Sequence, residues 1–430
     1  MAAELIFWIS VSLLAYTYLA YPALIHIIAL RARHKSPGSY ASNSPSASDP
    51  GRALKNDPVG HFSEGASLQG RKRSDRPSDL ETLRPHPSVS ILMPVHNEET
   101  VLRQKIQRLL ASDYPPAGGL FEIIIGSDAS DDGTDEIIKE FARTDDRIIF
   151  FRAEERTGKS GMLTMLASIA KDEILIITDA NVMPSVHTVR LLAEGFMNPE
   201  TGLCDAALIP SETDGGGITV QENFYTRFES GLKRAEGEAW GTMTGPYGGF
   251  YAVRKSIFPL LPCNLLVDDL YVGLTVLKNG FSAYNIPEAT VTEDTSPGIS
   301  GQFRRRVRIA AGSFQNLYHF GPFPGKTAQA SFCFFSHKVL RWFSPHLLAL
   351  VFMTTVILSA HSVLYFCLLS IQLIFILLPA LDMVLYSTGK TLTPLRFATQ
   401  FLMMNAALAA GFVKSLKGIE KGIWEPTKRV

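Results

Sequence analysis

Ser88-Val89-Ser90-Ile91-Leu92-Met93-Pro94-Val95-His96-Asn97-Glu98 is the stretch on which the fold reading turns. A short apolar run ends in proline, and polar residues then open a helix-like segment. Three later runs repeat the pattern: Glu122-Ile123-Ile124-Ile125-Gly126, Arg147-Ile148-Ile149-Phe150-Phe151 and Ile174-Leu175-Ile176-Ile177-Thr178. Apolar runs of this length, without alternation, read as strands buried on both faces of a sheet. Helix-like segments over 98–110, 133–142 and 159–170 alternate with them. The fold class is therefore α/β, with a mostly parallel sheet and right-handed crossovers. Ligands of such sheets bind beyond the carboxyl ends of the strands.

Those ends are polar and acidic. Pro94-Val95-His96-Asn97-Glu98 follows the first run, and Ser127-Asp128-Ala129-Ser130-Asp131-Asp132-Gly133-Thr134 follows the second. Asp179-Ala180-Asn181 follows the fourth. Helix capping accounts for any one of them, Asn97 and Asp132 above all. It does not account for acids at three of the four ends together.

Outward from this core the chain changes character. Residues 35–87 are rich in Ser, Pro, Gly, Arg and Asp, lack apolar periodicity and read as a disordered linker. Within it Arg71-Lys72-Arg73 reads first as a solvated charge run. Residues 5–30 contain no Asp, Glu, Lys or Arg, which is enough to cross a bilayer. Basic residues follow this run (Arg31, Arg33, His34, Lys35) instead of preceding it, as they would in a signal peptide. An uncleaved anchor over 1–34, with the following segment cytoplasmic, is the expectation. Residues 342–381 are also free of charge, long enough for two spans with a break near Ser359-Ala360-His361-Ser362. A weaker candidate over 397–413 carries Gln400 and Asn405. The expected organisation is thus an anchor (1–34), a linker (35–87), an α/β domain (88–320), an interfacial segment (321–341) bearing Phe332, Phe334 and Phe335, two or three helices (342–416) and a basic tail (417–430). Three later spans would put that tail outside, against its lysines, so the count stays open.

Charge and cysteine narrow the classes. Lys+Arg and Asp+Glu are both 41, and this zero balance argues against a general nucleic-acid binder. The four cysteines (Cys204, Cys263, Cys333, Cys367) are scattered, so neither a disulfide framework nor a zinc site is expected.

Taken in order, PVHNEE, SDASDDGT, RTGKSG, DAN, VDD and QFRRR resemble the motifs of glycosyltransferase family 2, over about residues 89–315. The likeness is to its membrane-embedded branch, with cellulose, chitin and hyaluronan synthases and bacterial exopolysaccharide transferases. That resemblance implies a GT-A fold and a nucleotide-diphosphate sugar donor, a UDP-sugar in most of the branch. It also implies a glycan or lipid-linked acceptor, Mg²⁺ or Mn²⁺, inversion at the anomeric carbon and, as partners, membrane lipids and other polysaccharide-export subunits.

Roles follow residue by residue from the resemblance. Asp128 would meet the nucleobase or ribose, with Glu98 helping. Lys159 would approach the nucleotide or diphosphate, its neighbouring glycines allowing close backbone approach. RTGKSG is not a P-loop, so ATP hydrolysis is not implied. Asp179-Ala180-Asn181 corresponds to the metal-binding DxD; Asn181 offers an amide oxygen without charge. Asp269 is the candidate general base, with Asp268 its competitor and an acceptor-side residue. Gln302-Phe303-Arg304-Arg305-Arg306 aligns with QxxRW, placing Gln302, Arg305 and Arg306 at the nucleotide sugar, with Arg306 where processive relatives have Trp. Arg304, Arg306 and Arg308 also read as cations for anionic lipid headgroups. Tyr247, Gly248 and Gly249 belong to an acceptor-side loop. Single-sugar transfer to a polyprenyl phosphate or another lipid is the rival enzyme reading. An inactive transferase-like membrane subunit is the reading of another class.

Overall fold

The computed structural model describes residues 1–35, 87–114, 121–210, 219–293, 299–322 and 324–419. Most of the expected linker, with Arg71-Lys72-Arg73, and residues 420–430 of the basic tail lie outside the described residues.

The amino-terminal helix runs as α1 (Ala2–Ala15), a π-helical turn (Tyr16–Ala20) and α2 (Tyr21–Lys35). The α/β unit then follows as β1 (Val89–Val95), α3 (Glu99–Leu110), β2 (Phe121–Asp128), α4 (Thr134–Thr144), β3 (Ile148–Ala153), α5 (Gly158–Ile169) and β4 (Ile174–Thr178). These four strands pair in parallel in the order β3-β2-β1-β4. Successive side chains of a strand point to opposite faces. Ile123 and Ile125 accordingly join Leu102, Ile106 and Ile138 below the sheet, while Ile124 joins Met162, Leu163 and Leu166 above it. Both faces are covered, which is why these strands read as unbroken apolar runs.

The second half of the sheet departs from parallel pairing. β5 (Val182–Pro184), α6 (Thr188–Glu194), β6 (Thr201–Pro210), α7 (Thr219–Trp240), β7 (Phe250–Arg254), α8 (Asp268–Lys278), β8 (Ser282–Glu293) and α9 (Ile299–Phe320) complete the unit. The full order is β3-β2-β1-β4-β7-β6-β8-β5, with β7 antiparallel to both neighbours and β5 antiparallel to β8. The antiparallel β7 carries the Gly-rich segment back to the end of β4.

After α9 come α10 (Ala328–Cys333), a π-helical turn (Phe334–Val339), α11 (Leu340–Trp342), α12 (Ser344–Ser359), α13 (Val363–Ser387) and α14 (Thr393–Leu416). Phe334 is fully buried among Leu270, Phe314 and Trp342. The expectation that it lies at a bilayer surface is therefore corrected; its ring fills a protein core. Ala2–His34 and Val363–Ser387 are long and apolar enough to cross a membrane, and α10 to α12, bent by 55°, would make a third such segment. α2 packs along α7, α1 along α12 and α14 along α9, so the apolar helices are built onto the α/β unit.

Candidate functional site

The loops after β1, β2 and β4 meet at one edge. β2 ends in Asp128, whose carboxylate is fully buried. It accepts from Thr157 N at 2.6 Å, Thr157 Oγ1 at 2.9 Å, Gly158 N at 3.0 Å and Arg156 Nε at 3.1 Å. The immediate partner of Asp128 is thus the RTGKSG loop, not a pocket. Ala129, beside it, holds a left-handed φ of 52°, a conformation that a non-glycine residue keeps only where its surroundings fix it. Glu98 sits at the head of α3, where its amide donates to Thr134 Oγ1 at 2.9 Å.

Gly158, at φ 77°, turns the chain into α5 and aims Lys159 across the site. Lys159 Nζ lies 2.8 Å from Asp179 Oδ1, 3.6 Å from Asp268 Oδ2 and 3.4 Å from the Gly248 carbonyl. Burial works against the ammonium, but Asp179 and Asp268 outweigh it and hold its pKa above the ordinary lysine value. Asp268 is 6% exposed, and its Oδ2 has no hydrogen bond beyond that longer ionic contact. Asp269, the next residue in the first turn of α8, is half-buried. Burial first and the Asp268 charge second push its pKa up to about 6, with Lys159 opposing. That is a carboxylate tuned toward neutral pH, as a general base requires.

The Gly-rich segment fits closely around these acids. The Asp179 amide donates to the Gly249 carbonyl at 3.1 Å. A Cβ at Gly248 would lie 2.8 Å from Asp269 Oδ2, and one at Gly249 would lie 2.7 Å from the Tyr247 ring and from Val182. Tyr247 is held at both ends: its amide donates to buried Asp205 at 2.7 Å and its hydroxyl to Glu293 at 2.6 Å. Burial raises the Asp205 pKa to about 6, against the nearby Lys233.

Two residues here escaped sequence reasoning. Lys105 is fully buried under the β4 end; its ammonium donates to Thr178 Oγ1 at 2.7 Å and to the Val182 carbonyl. Burial pulls its pKa down to about 7, with Asp179 opposing. It bridges the Thr178 hydroxyl and the Val182 carbonyl, on either side of Asp179-Ala180-Asn181. The signal was present in Leu102-x-x-Lys105-Ile106-x-x-Leu109, where a lysine occupies the apolar face of an amphipathic helix. Glu293 has no comparable signal. It accepts from Asn181 Nδ2 at 3.3 Å and pairs with Arg305 Nη2 at 3.2 Å.

The arginines of α9 divide. Arg305 points at Glu293 and is half exposed. Arg306, one residue on and about 100° around the helix, lies over the Tyr225 ring at 5.6 Å. Arg308 donates to the Leu266 carbonyl at 3.4 Å and so turns toward the head of α8, not outward to headgroups. Gln302 is placed near Arg306 on the helix, with its Oε1 buried and without a hydrogen-bond partner.

The oxygen donors of Asp179 and Asn181 are of the kind that a hard divalent ion takes. Asp179 is 37% exposed, so its carboxylate is open to a ligand. Among the described residues no three His, Cys, Asp or Glu side chains could hold an ion by themselves. Phosphate oxygens would have to complete the shell, which is the usual manner for Mg²⁺.

Residues 90–259 match the family model for Glycosyl transferase family 2. Over these residues the chain is similar to family 2 glycosyltransferases. It is similar to a poly-β-1,6-N-acetyl-D-glucosamine synthase of Staphylococcus epidermidis, 25% identical over 53% of this chain and 55% of the relative. It is also similar to a β-monoglucosyldiacylglycerol synthase of Trichormus variabilis, 35% identical over 33% of this chain and 29% of the relative. The chain spans about half or less of the length of the curated relatives it matches. Among solved structures, a mannosyltransferase of Pyrobaculum calidifontis, in complex with GDP-Man and Mn²⁺, superposes with a TM-score of 0.64. It covers 96% of this chain and 99% of its own at 21% identity, which gives the fold as GT-A.

Proposed function

We propose that the chain is a membrane-bound, inverting glycosyltransferase that moves a sugar from a nucleotide-diphosphate donor to a growing glycan or lipid-linked acceptor. The observation that carries this reading is the convergence of Lys159, Asp179, Asp268 and Asp269 at one edge of a GT-A sheet, against the Gly248-Gly249 backbone. Asp269 takes the proton from the acceptor hydroxyl as that oxygen attacks the anomeric carbon. The bond from that carbon to the diphosphate breaks in the same displacement. Lys159 and Arg305 neutralise phosphate oxygens; a guanidinium suits paired oxygens and an ammonium acts as a point charge. Asp128 acts on the donor through the Arg156–Gly158 backbone it holds. Asp179 and Asn181 would hold Mg²⁺ or Mn²⁺, which would offset charge on the leaving nucleotide diphosphate. The helices Ala2–His34 and Val363–Ser387 support a membrane location for the acceptor.

The relative that makes a polymer and the relative that glycosylates a lipid support different acceptors, and the sheet edge serves both. UDP is favoured by the resemblance to the membrane branch, while the superposed mannosyltransferase is in complex with GDP-Man. The test is nucleotide release by purified chain across UDP- and GDP-sugars with Mn²⁺ or Mg²⁺, followed by sizing of the product. Release that depends on one donor and falls by about 10²-fold or more in Asp269→Asn supports the assignment. No release from any donor supports the inactive membrane subunit instead.

A further inference from the structure

We infer that Glu293 is the second carboxylate of the divalent-cation site, supplying the charge that Asn181 lacks. The inference rests on the metal reading of Asp179 and Asn181 given above.

Sheet register brings the residues together. β5 and β8 pair antiparallel with Val182 opposite Glu293, so the last residue of β8 stands beside Asn181. The side chain follows: Glu293 is 8% exposed, and its Oε1 accepts from the Asn181 amide at 3.3 Å. A pair of acids two residues apart would bring two negative charges to a divalent ion. Asp179-Ala180-Asn181 brings one. Glu293 restores the count from a strand more than a hundred residues away in sequence.

Each of the two acids faces a cation. Asp179 holds Lys159 at 2.8 Å, and Glu293 holds Arg305 at 3.2 Å. These are the two cations that the proposed function directs to the diphosphate. Both acids therefore carry an exchangeable counter-charge, released when phosphate oxygens take Lys159 and Arg305. Lys159 also lies 3.6 Å from Asp268 Oδ2, which is buried and has no hydrogen bond, so its ammonium is shared between Asp179 and Asp268. Tyr247 ties Glu293 to the acceptor loop through its 2.6 Å hydrogen bond, and the Asp179 charge also bears on that phenol.

The test is direct Mn²⁺ binding to the full-length chain in detergent, read by the electron paramagnetic resonance of free Mn²⁺, with and without UDP or GDP. Glu293→Gln should weaken Mn²⁺ binding at least tenfold. Asn181→Asp in the same chain should bring it back to within about threefold of the unaltered protein. Glu293→Asp, which keeps the charge on a shorter arm, should retain more affinity than Glu293→Gln. Tyr247→Phe, which removes only the hydroxyl contact, should stay within about twofold. Unchanged binding in Glu293→Gln overturns the inference. So does a weakened Glu293→Gln that Asn181→Asp fails to restore, since that pattern belongs to a strand-end brace. Absence of Mn²⁺ binding to the unaltered protein under all conditions overturns the metal reading itself.

Discussion

Asp128→Asn is the substitution whose cost can be worked from the coordinates. The carboxylate is sealed from solvent and faces four donors: Thr157 N and Oγ1, Gly158 N and Arg156 Nε. An amide in its place has one acceptor oxygen. With the amide nitrogen toward Gly158 and Arg156, two donors face it; with the nitrogen toward Thr157, one donor does, because the Thr157 hydroxyl can rotate to accept. The second orientation is cheaper. It loses the 2.6 Å bond from Thr157 N and reduces the bonds from Gly158 and Arg156 to neutral acceptors. Hydrogen bonds to charged groups contribute about 1.5–3 kcal/mol and neutral ones about 0.5–1.5 kcal/mol. The sum is about 3.5–6 kcal/mol, at or just above the range found when a buried ion pair loses one partner. The loop relieves part of this by opening, so the loss appears where the loop is needed. Donor affinity should fall by about 10²-fold, while the melting temperature falls by only a few degrees. Isothermal titration with the productive donor, beside a thermal melt, measures both. Donor binding within threefold of the unaltered protein would refute the claim that Asp128 orders the loop around Lys159.

Two further outcomes follow from the α8 acids. As a base, Asp269 works only as the carboxylate, so activity is present above its pKa and lost below it. The acid limb of kcat/KM should bend near pH 6 and fall about tenfold per pH unit below that. Asp268→Asn removes the neighbouring charge that raises the Asp269 pKa, so the limb should move to lower pH; a limb that stays in place removes Asp269 from the base role. Gly248→Ala places a Cβ 2.8 Å from Asp269 Oδ2 and 2.9 Å from its Cγ, and a side chain that short can yield only by turning away. Turnover should drop at least about tenfold, on the order of what a misplaced catalytic group costs, with the melt nearly unchanged; kcat within twofold would show that this approach does not set the base.

The parallel half of the fold was legible because it is simple. Each of β1 to β4 is covered on both faces, so burial leaves a continuous apolar run, and the strand-end rule then points to Asp128 and Asp179. The antiparallel half was not legible. β8 runs Ser282–Glu293 with half its residues partly exposed and a register irregularity opposite Ala206–Ala207. Nothing local says that its last residue sits beside Asn181, since that is a property of the β5–β8 register. The motif QFRRR marks the helix but does not say which way each of its arginines turns. Neighbouring residues of a helix diverge by about 100°, and only packing decides that Arg305 turns to Glu293 while Arg306 turns to Tyr225.

The amino-terminal helix reads in sequence as an anchor and nothing more, yet it reaches the site. Glu236 of α7 is fully buried, and a carboxylate there is tolerable only if donors surround it. Four do: Tyr21 OH at 2.7 Å, Thr244 N at 3.0 Å, Thr244 Oγ1 at 2.8 Å and His337 Nδ1, which lies at 2.7 Å. Tyr21 belongs to the amino-terminal helix, and His337 to the π-helical turn that precedes α11. Thr244 opens the segment that carries Tyr247, Gly248 and Gly249. The two π-helical turns also touch directly, with Tyr16 OH 2.9 Å from Ser336 Oγ. π-turns displace side chains from the regular helical positions and occur often at functional sites; here they aim Tyr16 and His337 inward. One carboxylate thus fixes the start of the Tyr247-Gly248-Gly249 segment against both apolar ends of the chain. Apolar periodicity reveals each of those ends separately, and their meeting at Glu236 is a fact of tertiary structure alone.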